Sequence, residues 1–145
     1  MEEKHIYEVN VEWKTERKGM MSSPGGLQDL EVATPPEFPK GHPGIWSPEH
    51  LYVASANSCL MTTFLAIAEN SKLEYKSFSC KGTGTLEKVD GKFMISKIDL
   101  EAIVEISDEK DEKKALRVLE KSEAACLISN SMKTEVHLKP VIKVV

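Results

Sequence analysis

Arginine is nearly missing from this chain of 145 residues: Arg17 and Arg117 stand against 17 lysines. The positive charge is scattered and the net charge is −4, so there is no basic stripe of the kind that tracks a phosphate backbone. Nucleic acid is therefore not an expected partner. Cysteine is scarce as well. The three thiols, Cys59, Cys80 and Cys126, are odd in number and form no Cys-x-x-Cys. That excludes a disulfide-stapled scaffold and leaves thiols that are buried, catalytic or redox-active. The opening Met1-Glu2-Glu3-Lys4-His5 has no apolar segment of the kind a secretory signal needs, which predicts a cytoplasmic protein.

Other absences narrow the chemistry. His5, His42, His50 and His137 are scattered, and none pairs with a cysteine at zinc-ligand spacing, so no metal is expected. Gly82-x-Gly84 and Gly41-x-x-Gly44 lack the strand-to-helix setting of a phosphate cradle, and no nucleotide or other cofactor is implied. No Gly-x-Ser-x-Gly elbow occurs, which removes the commonest serine-hydrolase arrangement.

What remains is enough for one packed core. The length and the 41% hydrophobic content predict a single α+β domain over residues 1–145 with about six strands. Residues 6–13 read as a first strand and Thr15-Glu16-Arg17-Lys18-Gly19 as its turn. Residues 20–23 and 27–32 follow as short strands, giving an antiparallel meander. Thr34 to Trp46 holds four prolines and two glycines and reads as loop. Ser47-Pro48-Glu49 combines an N-cap, a first-turn proline and a first-turn acid, so a helix starts there.

From Leu51 to Ala68 that helix carries no charge, and apolar residues occur on every side, which predicts burial nearly all round. A membrane span is the rival reading. Ser55, Asn57, Ser58, Thr62 and Thr63 and the lack of a second apolar segment speak against it. Val89-Asp90-Gly91 marks a hairpin between the runs 75–87 and 92–106. In the second run Ile98, Leu100, Ala102, Val104 and Ile106 alternate with polar residues, so one sheet face is core and the other wet. Ser107 or Asp108 then caps a charged helix to about Ala125, with Ala115, Leu116, Val118 and Leu119 as its apolar side. Residues 134–144 close as a strand.

The thiols by themselves leave two readings open. Cys59 lies mid-helix and reads at least as well as an inert core residue. Cys126 follows the charged helix where a new helical turn can begin, a position that lowers thiol pKa values, but a small packing residue fits equally. Cys80, beside Phe78 in a strand, reads as structural.

The order of features resembles the OsmC/Ohr family over nearly the whole chain. Arg17-Lys18-Gly19 is similar to the Arg-x-Gly of that family's first hairpin, and Ser47-Pro48-Glu49-His50-Leu51 to its Ser/Asn-Pro-Glu-x-Leu. Ala54-Ser55-Ala56-Asn57-Ser58-Cys59 matches the helical cysteine in an Ala/Ser-rich stretch. Cys126-Leu127-Ile128-Ser129-Asn130 matches the Cys-Pro-x-Ser motif with Leu127 in place of proline. The loop 37–46 looks more like the broader OsmC-like branch than strict Ohr.

The resemblance implies an OsmC-like fold, with antiparallel sheets around a long buried central helix in an intertwined homodimer. It also implies a thiol peroxidase in which Cys59 reduces an organic hydroperoxide and Cys126 resolves the sulfenic acid to a disulfide. Arg17 and Glu49 would position and ionise the attacking thiol, and an external dithiol would reset the pair. Ten residues separate Glu49 from Cys59, ~15 Å along a helix. A glutamate does not span that, so a shared site needs a second subunit or a broken helix. Two other functions fit the same resemblance: a noncatalytic dimer that binds an apolar small molecule, and a thiol redox sensor.

Overall fold

The computed structural model describes residues 3–145. The chain forms two compact units, Met1–Leu51 and Tyr52–Val145.

The first unit is the expected meander. Strands β1 (Asn10–Thr15), β2 (Lys18–Ser22) and β3 (Leu30–Ala33) pair antiparallel in that order. Residues 6–9 were expected to belong to β1 but lie outside it. The ladder ends at Asn10 opposite Ser22, because the chain beyond Ser22 runs into Pro24, which has no N–H to offer a neighbour. Glu16 and Arg17 form the turn between β1 and β2, with Glu16 at a φ of 50°. The Pro/Gly-rich segment after β3 contains no regular element, as its composition predicts. Its end is tied to the sheet by the Ala33 N–H, which donates to the Trp46 carbonyl at 2.9 Å.

Helix α1 (Pro48–Asn70) starts where Ser47-Pro48-Glu49 places it. Ser47 is fully buried. Its Oγ accepts the His50 N–H at 3.1 Å, while its own N–H donates to His50 Nδ1 at 3.2 Å. This is a capping box in which histidine takes the place usually held by Glu or Gln. Along the body of the helix, polar residues turn back on their own backbone. Ser55 Oγ donates to the Tyr52 carbonyl and Ser58 Oγ to that of Ala54, both at 2.6 Å. That is how hydroxyls are tolerated on so apolar a segment.

The second unit is built on β4 (Ser77–Val89), β5 (Lys92–Ile106) and β6 (Glu135–Val144), in that order. Asp90 and Gly91, both at positive φ, make the two-residue hairpin turn between β4 and β5. A short 3-10 turn (Glu109–Asp111), capped by Asp108, leads into α2 (Glu112–Ala124) and then α3 (Leu127–Asn130). The β5–β6 pair departs from the antiparallel pattern: it is parallel. Two strands joined through helices, rather than by a tight turn, can run the same way, and α2 and α3 supply that crossover.

The core of this unit is the inward face of β5 against one stripe of α1. Ala56, Leu60, Phe64 and Ala68 recur every fourth residue of α1. They are buried with Ile98, Leu100, Ala102, Val104 and Ile106 of β5, and with Ala115, Val118 and Leu119 of α2. The alternation in β5 is thus where the sequence puts it, as are Ala115, Val118 and Leu119 of α2; Leu116, expected on the same apolar side, is only half-buried and lies outside the core. Phe64 sits edge-on to Tyr75 and Phe78, with ring centroids 5.1 and 4.9 Å away. Burying a side chain of this kind contributes about 1.5–3 kcal/mol. Gly84 of β4 packs tightly against α1, since a Cβ there would stand 2.6 Å from Val53 Cγ2.

One expectation for α1 is corrected. It is not buried all round within this chain: Ser58, Met61, Thr62, Leu65 and Ala66 are exposed. A single sheet and α2 can cover only one stripe of a helix, whatever the composition of its other sides. Among the described residues α1 is also the one helix long and apolar enough to cross a membrane. Here its inner stripe is committed to a protein core.

Candidate thiol site

Cys59 and Cys126 meet in the second unit. Cys59 rides on α1, one residue before the buried Leu60, and is half-exposed. Cys126 is fully buried at the junction of α2 and α3, where its extended backbone (φ −66°, ψ 109°) breaks one helix and caps the next. Both thiols are free. The junction is held by several bonds. The Cys126 N–H donates to the Glu123 carbonyl at 3.1 Å, the Asn130 N–H to the Cys126 carbonyl at 3.0 Å, and Asn130 Nδ2 to the Ala124 carbonyl at 3.2 Å.

The electrostatics separate the two sulfurs. Burial pushes the Cys59 thiol up, but hydrogen bonds bring it down on balance. They come from the Cys126 thiol, the Ile128 N–H, the Thr63 hydroxyl and the Leu127 N–H. Thr63 Oγ1 lies 3.8 Å from Cys59 Sγ. Cys126 moves the other way. Burial raises its pKa, and donating to Cys59 raises it further, against smaller opposing bonds from the Ser129 hydroxyl and N–H. The Cys59 thiol is thus shifted down and the Cys126 thiol up, a difference that favours Cys59 as the attacking sulfur.

Leu127 is a departure from the Cys-Pro motif that leaves α3 intact. The helix starts at Leu127 with its side chain exposed. Proline has no N–H, so leucine supplies one donor toward Cys59 that the motif's usual residue lacks.

Cys80, on β4, is the third thiol. Burial, with the charges of Glu123 and Glu101, pushes it up to about 11, which agrees with a structural part.

Arg17 and Glu49 both lie in the first unit. They line one open cleft of about 510 Å³ together with Val11, Trp13, Val32 and Phe38. Arg17 projects from the β1–β2 turn and is exposed, while Glu49 sits in the first turn of α1 and is half-buried. The structure thus brings the two cysteines together, and separately brings Arg17 and Glu49 to one cleft.

Two residues near Cys126 in the chain carry a feature that the sequence does not show. Glu123 and Ser129 each bury a side-chain oxygen that meets no partner at full hydrogen-bond geometry. Glu123 looks like one more charge on a solvated helix face, and only its place three residues before Cys126 hints otherwise. Ser129 is visible as part of the second-cysteine motif. Among the described residues no group of metal-ligating side chains comes together.

An α+β fold with an apolar helix carrying one cysteine, and a second thiol beside it at a helix junction, defines a class of thiol-bearing proteins. The family model for OsmC-like proteins matches residues 41–141, and the chain belongs to that family. No curated protein matches the chain. Among solved structures, an OsmC-like protein of unknown function from Vibrio cholerae has a TM-score of 0.86 at 23% identity, covering 95% of this chain and 100% of its own. An organic hydroperoxide resistance protein from Elizabethkingia anophelis has a TM-score of 0.78 at 18% identity, with full coverage of both chains. The organic hydroperoxide resistance protein OhrB of Bacillus subtilis has a TM-score of 0.67 at 23% identity, covering 96% and 98%. At these identities the likeness is one of fold.

Proposed function

We propose that this protein is a cytoplasmic, thiol-dependent peroxidase of organic hydroperoxides that works as a homodimer. The observation that carries the reading is the polarised pair: Cys59 biased toward its thiolate, with Cys126 donating to it. In this reading the Cys59 thiolate attacks the outer oxygen of a hydroperoxide. The O–O bond breaks, the alkoxide leaves and takes a proton to become the alcohol, and Cys59 becomes a sulfenic acid. Cys126 then attacks the Cys59 sulfur, a disulfide forms and water leaves. An external dithiol returns both thiols. No metal or other cofactor takes part in the scheme.

Arg17 and Glu49 are assigned to hold the hydroperoxide and to favour the thiolate. The apolar lining of their cleft from Val11, Trp13 and Phe38 suits an alkyl or aryl chain. Two observations support the dimer. Helix α1 is continuous from Pro48 to Asn70, so Glu49 cannot fold back toward the Cys59 of its own chain. The outward side of α1 also leaves Met61 and Leu65 uncovered. A two-fold partner would meet both needs. The deciding experiment is consumption of cumene hydroperoxide in the presence of dithiothreitol. Turnover that vanishes in Cys59→Ser supports the proposal, and absence of turnover in the parent defeats it.

The same cleft also supports a second reading, a noncatalytic dimer that binds an apolar small molecule. It gains ground if the parent binds such a ligand yet leaves hydroperoxide untouched. A redox sensor would form the disulfide without multiple turnovers.

A further inference from the structure

Cys59 stands in the middle of α1, about three turns from either end. The partial charge at a helix terminus is felt only within the first or last turn, so a thiolate at this place gains nothing from the helix dipole. Its charge has to be met by donors brought to the sulfur, and α1 supplies one of its own.

The hydroxyls of α1 near Cys59 divide into two kinds. Ser55 Oγ donates to the Tyr52 carbonyl and Ser58 Oγ to that of Ala54, and Thr62 Oγ1 donates to the Cys59 carbonyl at 3.1 Å. Such a backward bond is the usual resting place for a hydroxyl inside a helix. Thr63 departs from it. Helix side chains lean toward the N-terminus, and Thr63, four residues after Cys59, leans over the cysteine. The carbonyl one turn back is that of Cys59, which Thr62 already occupies. The Thr63 hydroxyl instead meets Cys59 Sγ at 3.8 Å, within hydrogen-bond reach of a sulfur. Either group can donate while Cys59 is a neutral thiol. A thiolate has no proton to give, so once Cys59 ionises Thr63 must be the donor.

We propose that Thr63 is a catalytic residue of the thiol site, holding the Cys59 thiolate through its hydroxyl, and that Thr62 is a positioning residue, which keeps Thr63 off the backbone by filling the Cys59 carbonyl. The inference rests on the peroxidase reading for its substrate, but the bond acts in any reaction of the Cys59 thiolate. The proton stays on Thr63 Oγ1 throughout. The bond weakens as the sulfur passes its electron pair to the outer oxygen of the hydroperoxide. It forms again when a disulfide at Cys59 is cleaved with Cys59 as the departing sulfur, because the electron pair of the broken S–S bond returns to it. Since Thr63 shares a helix with Cys59, this donor does not depend on how α3 is placed. The net lowering of the Cys59 thiol by its hydrogen bonds agrees with the role.

The test reads Cys59 alkylation by iodoacetamide across pH, with the Cys59 peptide quantified by mass spectrometry. Thr63→Val keeps the shape and loses the hydroxyl. It should move the midpoint up and slow alkylation below the parental midpoint about threefold or more, with the plateau rate at high pH not reduced. Thr63→Ser should recover most of that loss. Thr62→Val should move the midpoint the same way, but no further in a Thr63→Val background, since the two act through one bond. An unchanged midpoint in Thr63→Val overturns the proposal, as does Thr63→Ser behaving like Thr63→Val. A Thr62→Val shift of equal size in both backgrounds removes the positioning role. Thr63→Ala carries the same decision if Thr63→Val does not fold. A parallel arm follows cumene hydroperoxide with dithiothreitol at a pH below the parental midpoint. If the parent consumes it, Thr63→Val should do so about threefold more slowly, and a parental rate there also overturns the proposal. If the parent leaves it untouched, the peroxidase reading fails while the alkylation profile still decides the bond.

Discussion

Cys59 on α1 and Cys126 at the α2–α3 junction act on each other so that the Cys59 thiol is shifted down and the Cys126 thiol up. One is exposed enough to meet a substrate; the other is sealed in the α2–α3 junction. Their roles follow from that asymmetry. Cys59→Ser should abolish peroxide consumption. Cys126→Ser should allow one turnover and block recycling, leaving a sulfenic acid that a dimedone reagent traps on Cys59. Mass spectrometry after one equivalent of peroxide reads both. Oxidation confined to Cys126 would reverse the assignment.

The rate of Cys59 alkylation by iodoacetamide should rise with pH and level off at a midpoint below that of an ordinary thiol, because only the thiolate reacts. Leu127→Pro removes one N–H donor from the thiolate, so the midpoint should move up. Cys126→Ala removes the donor with the largest lowering effect and should move it further. The sign is fixed: fewer donors to the charged form mean a higher pKa. A midpoint unchanged in both variants would show that these bonds do not tune the thiol.

Arg17→Lys should lower the peroxidase rate by about tenfold or more while leaving thermal stability near the parental value. Arg17 is exposed, and an ammonium lacks the planar fork of donors needed to serve thiolate and peroxide together. Sedimentation at micromolar concentration should give a dimer for both proteins. A monomer with full activity would remove the two-subunit site.

Gly84 faces Val53 so closely that a Cβ would stand 2.6 Å from Cγ2. Gly84→Ala should therefore destabilise the fold by about 1–3 kcal/mol in urea titration. Val53→Ala in the same chain should recover part of the loss, since it removes the atom that is struck. Additive losses would mean that the contact is not the cause.

Local signals were enough for much of this protein. Ser47-Pro48-Glu49 locates the start of α1, and Asp90-Gly91 locates the β4–β5 turn. The alternation from Ile98 to Ile106 identifies the inner face of β5. Each of these works through backbone geometry or side-chain period within a few residues. The spaced motifs around Arg17, Glu49, Cys59 and Cys126 pointed to the family. What no local rule contains is which side of α1 finds cover. The stripe Ala56, Leu60, Phe64 and Ala68 is no more apolar in kind than Met61 and Leu65, and only the placement of β5 and α2 separates them. The parallel course of β6 and the meeting of Cys59 with Cys126, 67 positions apart in the sequence, are likewise tertiary. So is the burial of Glu123 and Ser129. Proton affinity depends on burial and on donors brought in from distant segments, and a sequence read along its length does not show those neighbours.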